Sequence, residues 1–210
     1  MKDKIIVIGG GGHAKAVISI VKKLDEFEIL GYTDPINKGS LLGVKYLGTD
    51  DIANEIIKKH KTCKAVIGVG NISISDKRQK IYKMLKRTGF ELPAIISKSA
   101  IVNKEVSIGE GTVIFEDVII NVCSSIGKCV IANTGAIVES DCKIGDFVHL
   151  TPLVRIGSGV KIGSNSFIGS GTLVNREIEI GENCLLGAGS VVIENIIRAG
   201  TYLGVPAVIR

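Results

Sequence analysis

Four stretches of this 210-residue chain hold residue types that could do chemistry. The first, Gly9-Gly10-Gly11-Gly12-His13-Ala14-Lys15, follows the aliphatic run Lys4 to Ile8 and precedes helical periodicity through Ala16, Val17, Ile20, Val21 and Leu24. Glycines between a strand and a helix let backbone amides approach a phosphate closely, and the helix N-terminus adds partial positive charge. They also expose His13 to any ligand held there. The second is Asp34, which ends the next apolar run, Glu28 to Thr33, about twenty residues past the loop, where a carboxylate can meet a ribose hydroxyl. A third apolar run, Lys64 to Val69, leads into Gly70-Asn71. The last stretch is acidic: Glu139 and Asp141 alternate around Ser140, which puts both carboxylates outward on a strand, where a solvated edge is the plain alternative.

The elements around the glycine loop read as β-α-β-α-β-α. Helices are expected over Asp50 to Lys61, with Ile52, Ile56 and Ile57 on one face, and over Asp76 to Arg87, capped by Ser75 or Asp76. This alternation predicts a small parallel sheet with helices on its faces, a Rossmann-like α/β domain over residues 1–95. Gly9-x-Gly11-x-x-Ala14 formally fits the dinucleotide fingerprint. Fewer than about 100 residues, however, hold only half of the paired units that grip both ends of NAD. A mononucleotide-sized ligand suits the domain better, and a tight turn with no ligand is the simpler alternative. His60, among lysines at a helix end, reads as a surface residue.

Beyond this domain the pattern changes. Every sixth residue from Val102 to Val192 is aliphatic, without a slip of register. Two residues before each aliphatic stands a small or modest side chain, such as Thr112, Ala136, Cys142 or Ser190, and a separation of two puts both on one strand face. The next residue is often Gly (Gly109, Gly127, Gly145, Gly157) or Asn (Asn121, Asn133), read here as cheap bends in the chain. A short strand cannot bury its apolar face alone, so the hexads stack into a parallel β-helix over residues 96–210, with three strands per coil.

Composition agrees. Hydrophobic content is 45% with 4% aromatics and no Trp, which fits a narrow core of β-branched side chains. Mean hydropathy is +0.35, yet no apolar run is long enough to span a bilayer, so no membrane insertion is expected. A charge of +5 spread over scattered lysines, with no interleaved aromatic residues, argues against a nucleic-acid partner. The five cysteines lack zinc spacing, so no metal is expected, and reduced thiols fit a cytoplasmic chain.

The glycine loop ending in His13-Ala14-Lys15, the small α/β domain, Gly70-Asn71 with Arg78 beyond it, the hexads and the terminal Gly204-Val205-Pro206-Ala207 together resemble one family. It is the hexapeptide-repeat sugar O- and N-acyltransferases of the NeuD and PglD type, and the resemblance covers essentially the whole chain. It implies a left-handed β-helix, a homotrimer, and acetyl-CoA as cosubstrate in the groove between neighbouring prisms, with no tightly bound cofactor. It further implies an N-terminal domain holding a nucleotide-linked amino sugar or a sialic acid-like sugar. By position, Gly10, Gly11, Gly12, His13 and Asp34 would line the acceptor, with Gly70, Asn71 and Arg78 nearby. His149 would contact the donor, and Ser170 and Ala188 would meet the CoA arm.

One departure stands out. Where the family places a catalytic His followed by an acid, this chain has Ser140-Asp141. A hydroxyl with no adjacent base accepts no proton near neutral pH, and a solvated carboxylate is a weak base. Three readings follow: N-acetylation of an amine that is already nucleophilic, O-acetylation of a sialic acid-like sugar, or a trimer that binds sugar and CoA with impaired or no catalysis.

Overall fold

The computed structural model describes residues 2–210, which form two compact units. One comprises residues up to Gly70 together with Lys77–Ile95; the other comprises Asn71–Asp76 and Ile96–Arg210. The short segment after the third long strand therefore groups with the repeat unit.

The first unit is a four-stranded parallel sheet in the order β3-β2-β1-β4, with β1 at Asp3–Ile8, β2 at Phe27–Thr33, β3 at Tyr46–Gly48 and β4 at Lys64–Ile67. Strand β3 is an edge strand of this sheet. Helix α1 (Gly12–Leu24) buries Ala14, Val17, Ile18, Ile20 and Val21, the stripe its periodicity dictates. The helix expected from Asp50 starts as a 3-10 turn, Asp50–Ile52, and becomes α2 only at Ala53–Lys59. Helix α3 runs Lys77–Thr88.

The second unit is the β-helix. Strands mostly two residues long stack in parallel at a register of 18 residues, as in Ile131↔His149↔Phe167, and build three sheets. The inward column is fully buried from Ile114 to Val192, apart from a few per cent at most. Buried hydroxyls sit in the small inward slots, and those of Thr112, Ser124 and Ser166 are each used twice. Ser124 Oγ donates to the Glu139 carbonyl at 2.9 Å and accepts the Cys142 amide at 3.1 Å; Ser166 does the same with Gly181 and Cys184. Polar atoms in the core thus bridge successive coils at little cost.

The glycines after the aliphatic do not bend the chain. The left-handed turn residue lies two positions further on, at Glu105, Asp117, Cys123, Asp141, Phe147 and Leu153 among others, and most of these are not glycine. A Cβ on Gly145 would instead lie 2.7 Å from the Ser164 amide nitrogen, and one on Gly157 2.7 Å from that of Arg176. Glycine is needed there because the next coil's backbone passes through the space of a side chain. Among the described residues no helix is long and apolar enough to cross a membrane.

Candidate active site

In the first unit a cleft of about 330 Å³ opens where β1, β2 and β4 end. Gly9, Gly10, Gly11, Gly12, His13, Asp34 and Gly70 line it, joined by Lys38 and Lys77. Sequence reasoning missed both lysines; Lys38 was detectable as the cation four residues past Asp34. The loop is tightly held on its inner side. A Cβ on Gly10 would lie 2.7 Å from the buried Tyr32 ring, whereas Gly11 and Gly12 face open space. Backbone amides at the start of α1 are therefore accessible from one side, as anion binding requires.

Asp34 ties this loop in place. Its Oδ2 accepts the Gly10 amide at 2.8 Å and the Lys38 ammonium at 3.3 Å, while Oδ1 accepts the Ile36 amide at 3.1 Å. Burial opposes the charge on Asp34, but the amides of Ile36 and Gly10, with Lys38, outweigh it and hold the carboxyl below its ordinary range. Tyr46 Oη donates to the Asp34 carbonyl at 3.0 Å and fixes the strand end. The carboxylate is thus first a clamp on the loop and, with its remaining lone pairs, an acceptor for a ligand hydroxyl.

His13 follows on the first turn of α1 and packs against Gly70, where a Cβ would come within 3.2 Å of its ring. Burial, and secondarily the Arg78 guanidinium, pushes its pKa down to about 4. At neutral pH it is a neutral hydrogen-bonding group, not a cation for phosphate. Arg78 itself lies on α3, is 5% exposed, and is not part of the cleft lining.

In the β-helix unit, Ser140 occupies the turn after the strand Ile137–Val138, its Oγ 3.5 Å from Ser158 Oγ. Asp141 follows as the exposed left-handed residue of that turn. Glu139 ends an amide ladder: Asn103 Nδ2 donates to Asn121, and Asn121 Nδ2 donates to Glu139 Oε2, each at 2.8 Å. His149 lies on a different sheet from Ile137–Val138, in the strand His149–Leu150. Its side chain points outward yet is only 6% exposed. Its Nδ1 lies 3.2 Å from the Asn71 carbonyl and 3.1 Å from Asn71 Oδ1, and its ring meets Phe167 edge-on at 5.3 Å. Asn71, expected from sequence near the acceptor, lies against His149. Ser170 and Ala188 fall at equivalent corners of successive coils, with Ser170 Oγ donating to Thr151 at 3.3 Å.

Residues 4–85 match the PglD N-terminal domain, and residues 141–176 and 159–194 match the bacterial transferase hexapeptide model of six repeats. A histidine-to-alanine mutant of GDP-perosamine N-acetyltransferase from Caulobacter crescentus, in complex with CoA and GDP-perosamine, shares 33% identity over 99% of this chain and 96% of its own, with a TM-score of 0.93. The acetyltransferase domain of PglB from Neisseria gonorrhoeae, in complex with acetyl coenzyme A, shares 30% over all of both chains, with a TM-score of 0.93. WeeI from Acinetobacter baumannii shares 25% over all of both chains, with a TM-score of 0.85. No curated protein matches. A small α/β unit with a glycine-loop cleft, followed by hexapeptide coils, defines a two-part transferase, and its enzyme class is acyltransferase. The chain belongs to the hexapeptide-repeat sugar acyltransferases of the PglD and NeuD type.

Proposed function

We propose that this protein transfers the acetyl group of acetyl-CoA to the amine of a nucleotide-linked amino sugar, in surface-glycan biosynthesis in the cytoplasm. The observation that carries the reading is the whole-chain likeness to an N-acetyltransferase holding CoA and GDP-perosamine. The cleft supports it: open glycine amides at a helix start suit a diphosphate, and Asp34, Lys38 and Lys77 suit a ribose and its phosphates.

In the reaction the amine attacks the thioester carbonyl, the C–S bond breaks, one amine proton is lost, and the CoA sulfur leaves as a thiol. An amine is favoured over a sugar hydroxyl because Ser140 has no imidazole to offer, and an amine needs far less help to become a nucleophile. The acceptor would be bound by Gly10, Gly11, Gly12, His13, Asp34 and Gly70, and the CoA arm by backbone near Ser170 and Ala188.

A homotrimer is part of the proposal. The outer face of the six-stranded sheet carries Ile101, Ile119, Ile137, Leu173 and Val191, with Arg155 between Ile137 and Leu173 and with Ile101 54% and Leu173 39% exposed, a mostly apolar column suited to a second prism. The test is release of CoA thiol from acetyl-CoA with a panel of UDP-, GDP- and dTDP-linked amino sugars and a sialic acid. Turnover with an amino sugar is expected. Turnover with the sialic acid alone would replace this reading by O-acetylation, and binding of both substrates without turnover would favour a non-catalytic trimer.

A further inference from the structure

We infer that Lys38 is a specificity-determining residue of the glycine-loop cleft: by occupying Asp34 it leaves room there for one ribose hydroxyl, so the cleft takes an acceptor carried on a 2′-deoxyribonucleoside diphosphate about as well as one carried on a ribonucleoside diphosphate. The inference rests on the nucleotide-sugar reading above. A carboxylate offers about four acceptor positions, two on each oxygen. On Asp34 three of them are already taken. Oδ2 accepts the Gly10 amide at 2.8 Å and the Lys38 ammonium at 3.3 Å, and Oδ1 accepts the Ile36 amide at 3.1 Å. A ribose diol that gave both hydroxyls to this carboxylate would need two positions, and one is left.

Which of the three donors can yield decides the outcome. Gly10 is fixed, because its α-carbon packs so closely that a Cβ there would lie 2.7 Å from the Tyr32 ring and 3.2 Å from Asp34 Cβ. Ile36 donates from the backbone of the turn that follows β2. Lys38 is the side-chain partner, and its own backbone is pinned: its amide donates to Tyr32 Oη at 3.2 Å, Tyr32 Oη donates to the Gly39 carbonyl at 2.8 Å, and Tyr32 is fully buried. The ammonium therefore stays within reach of Asp34 and of the cleft that it lines. Between a cation and a neutral hydroxyl, a carboxylate only 13% exposed is held better by the cation. Discrimination between two sugars is large where the missing hydroxyl leaves a buried group stranded. Asp34 is not stranded: without the 2′-hydroxyl its three protein donors remain, and the 3′-hydroxyl can still meet the fourth position.

The experiment is titration calorimetry on the full chain with UDP and GDP, each compared with its 2′-deoxy and 2′,3′-dideoxy forms. For whichever base binds, the parent is expected to hold the 2′-deoxy form within about threefold of the ribo form, and the dideoxy form about tenfold more weakly, because no hydroxyl then reaches Asp34. Lys38→Met keeps the aliphatic stem and the backbone bond to Tyr32, and it opens the second position on Oδ2. In that variant the 2′-deoxy form is expected to bind about tenfold more weakly than the ribo form, since both hydroxyls now have an acceptor. Loss of a lysine that only held phosphate or shaped the loop would weaken all three forms alike. A ratio of ribo to 2′-deoxy affinity that stays at the parent's value in Lys38→Met therefore overturns the role of Lys38. A preference of the parent for the ribo form beyond about threefold overturns the inference, as does a dideoxy form that binds as tightly as the others, which would put the ribose away from Asp34. Binding of none of these nucleotides by the parent overturns the nucleotide-sugar reading and the inference with it, whereas binding with a strong ribose preference overturns the inference alone.

Discussion

Two side chains of the cleft owe their chemistry to groups that surround them. His13 has a folded pKa of about 4 against 6.5 in the unfolded chain, so on acidification the unfolded chain binds its proton first. This makes stability fall as pH drops from about 6.5 to about 4 and leaves it unaffected above that window, by up to about 3 kcal/mol at the low end. The thermal midpoint of His13→Gln is expected to decline less steeply over that window than that of the parent chain. Asp34 works through charge: its carboxylate holds the Gly10 amide and Lys38. Asp34→Asn removes the charge-assisted part of those bonds, and nucleotide affinity measured calorimetrically with UDP, GDP or dTDP is expected to fall about tenfold. An unchanged affinity would mean that the loop keeps its shape without the clamp.

At the scale of the element, the hexad divides its work among four positions. The aliphatic and the residue two before it fill the core, the left-handed residue turns the corner, and the glycine lets the coils close up. These roles predict unequal costs for one substitution. Gly171→Ala meets nothing within 4 Å and bears only the left-handed backbone penalty, about 1–2 kcal/mol. Gly145→Ala drives a methyl onto the Ser164 and Ile162 backbone, with no flexible side chain to yield, so its thermal midpoint is expected to drop further than that of Gly171→Ala. Ser124→Ala strands the Glu139 carbonyl and the Cys142 amide between coils and is expected to cost about 1–3 kcal/mol by denaturant titration.

For the whole molecule, the outer face of the six-stranded sheet governs assembly in the proposed trimer. Ile101→Glu combined with Ile119→Glu places carboxylates on the part of that column away from Arg155, and burying them unpaired against a second prism is costly. Light scattering is expected to give three times the 22.2 kDa chain mass for the parent and one chain mass for the double variant. A parent that already runs as a monomer would remove the trimer from the proposal.

What residue order alone determined is the part that repeats. The β-helix is written locally, because each hexad places its own inward pair and its own corner, and stacking merely copies that choice at a step of 18 residues. The strand–loop–helix around Gly10 was legible for the same reason, since the glycines, the helical stripe and Asp34 are each read within a short window. The hexad glycines were found but misjudged, because their reason lies in the spacing to the next coil, which no single coil contains. Lys77 in the cleft and the partnership of Asn71 with His149 were decided only in three dimensions. The last spans 78 residues and depends on where the segment leaving β4 comes to rest, a matter of packing and not of pattern. Periodicity can announce a rod, but the partner of a buried imidazole is set by which segment comes to lie beside it.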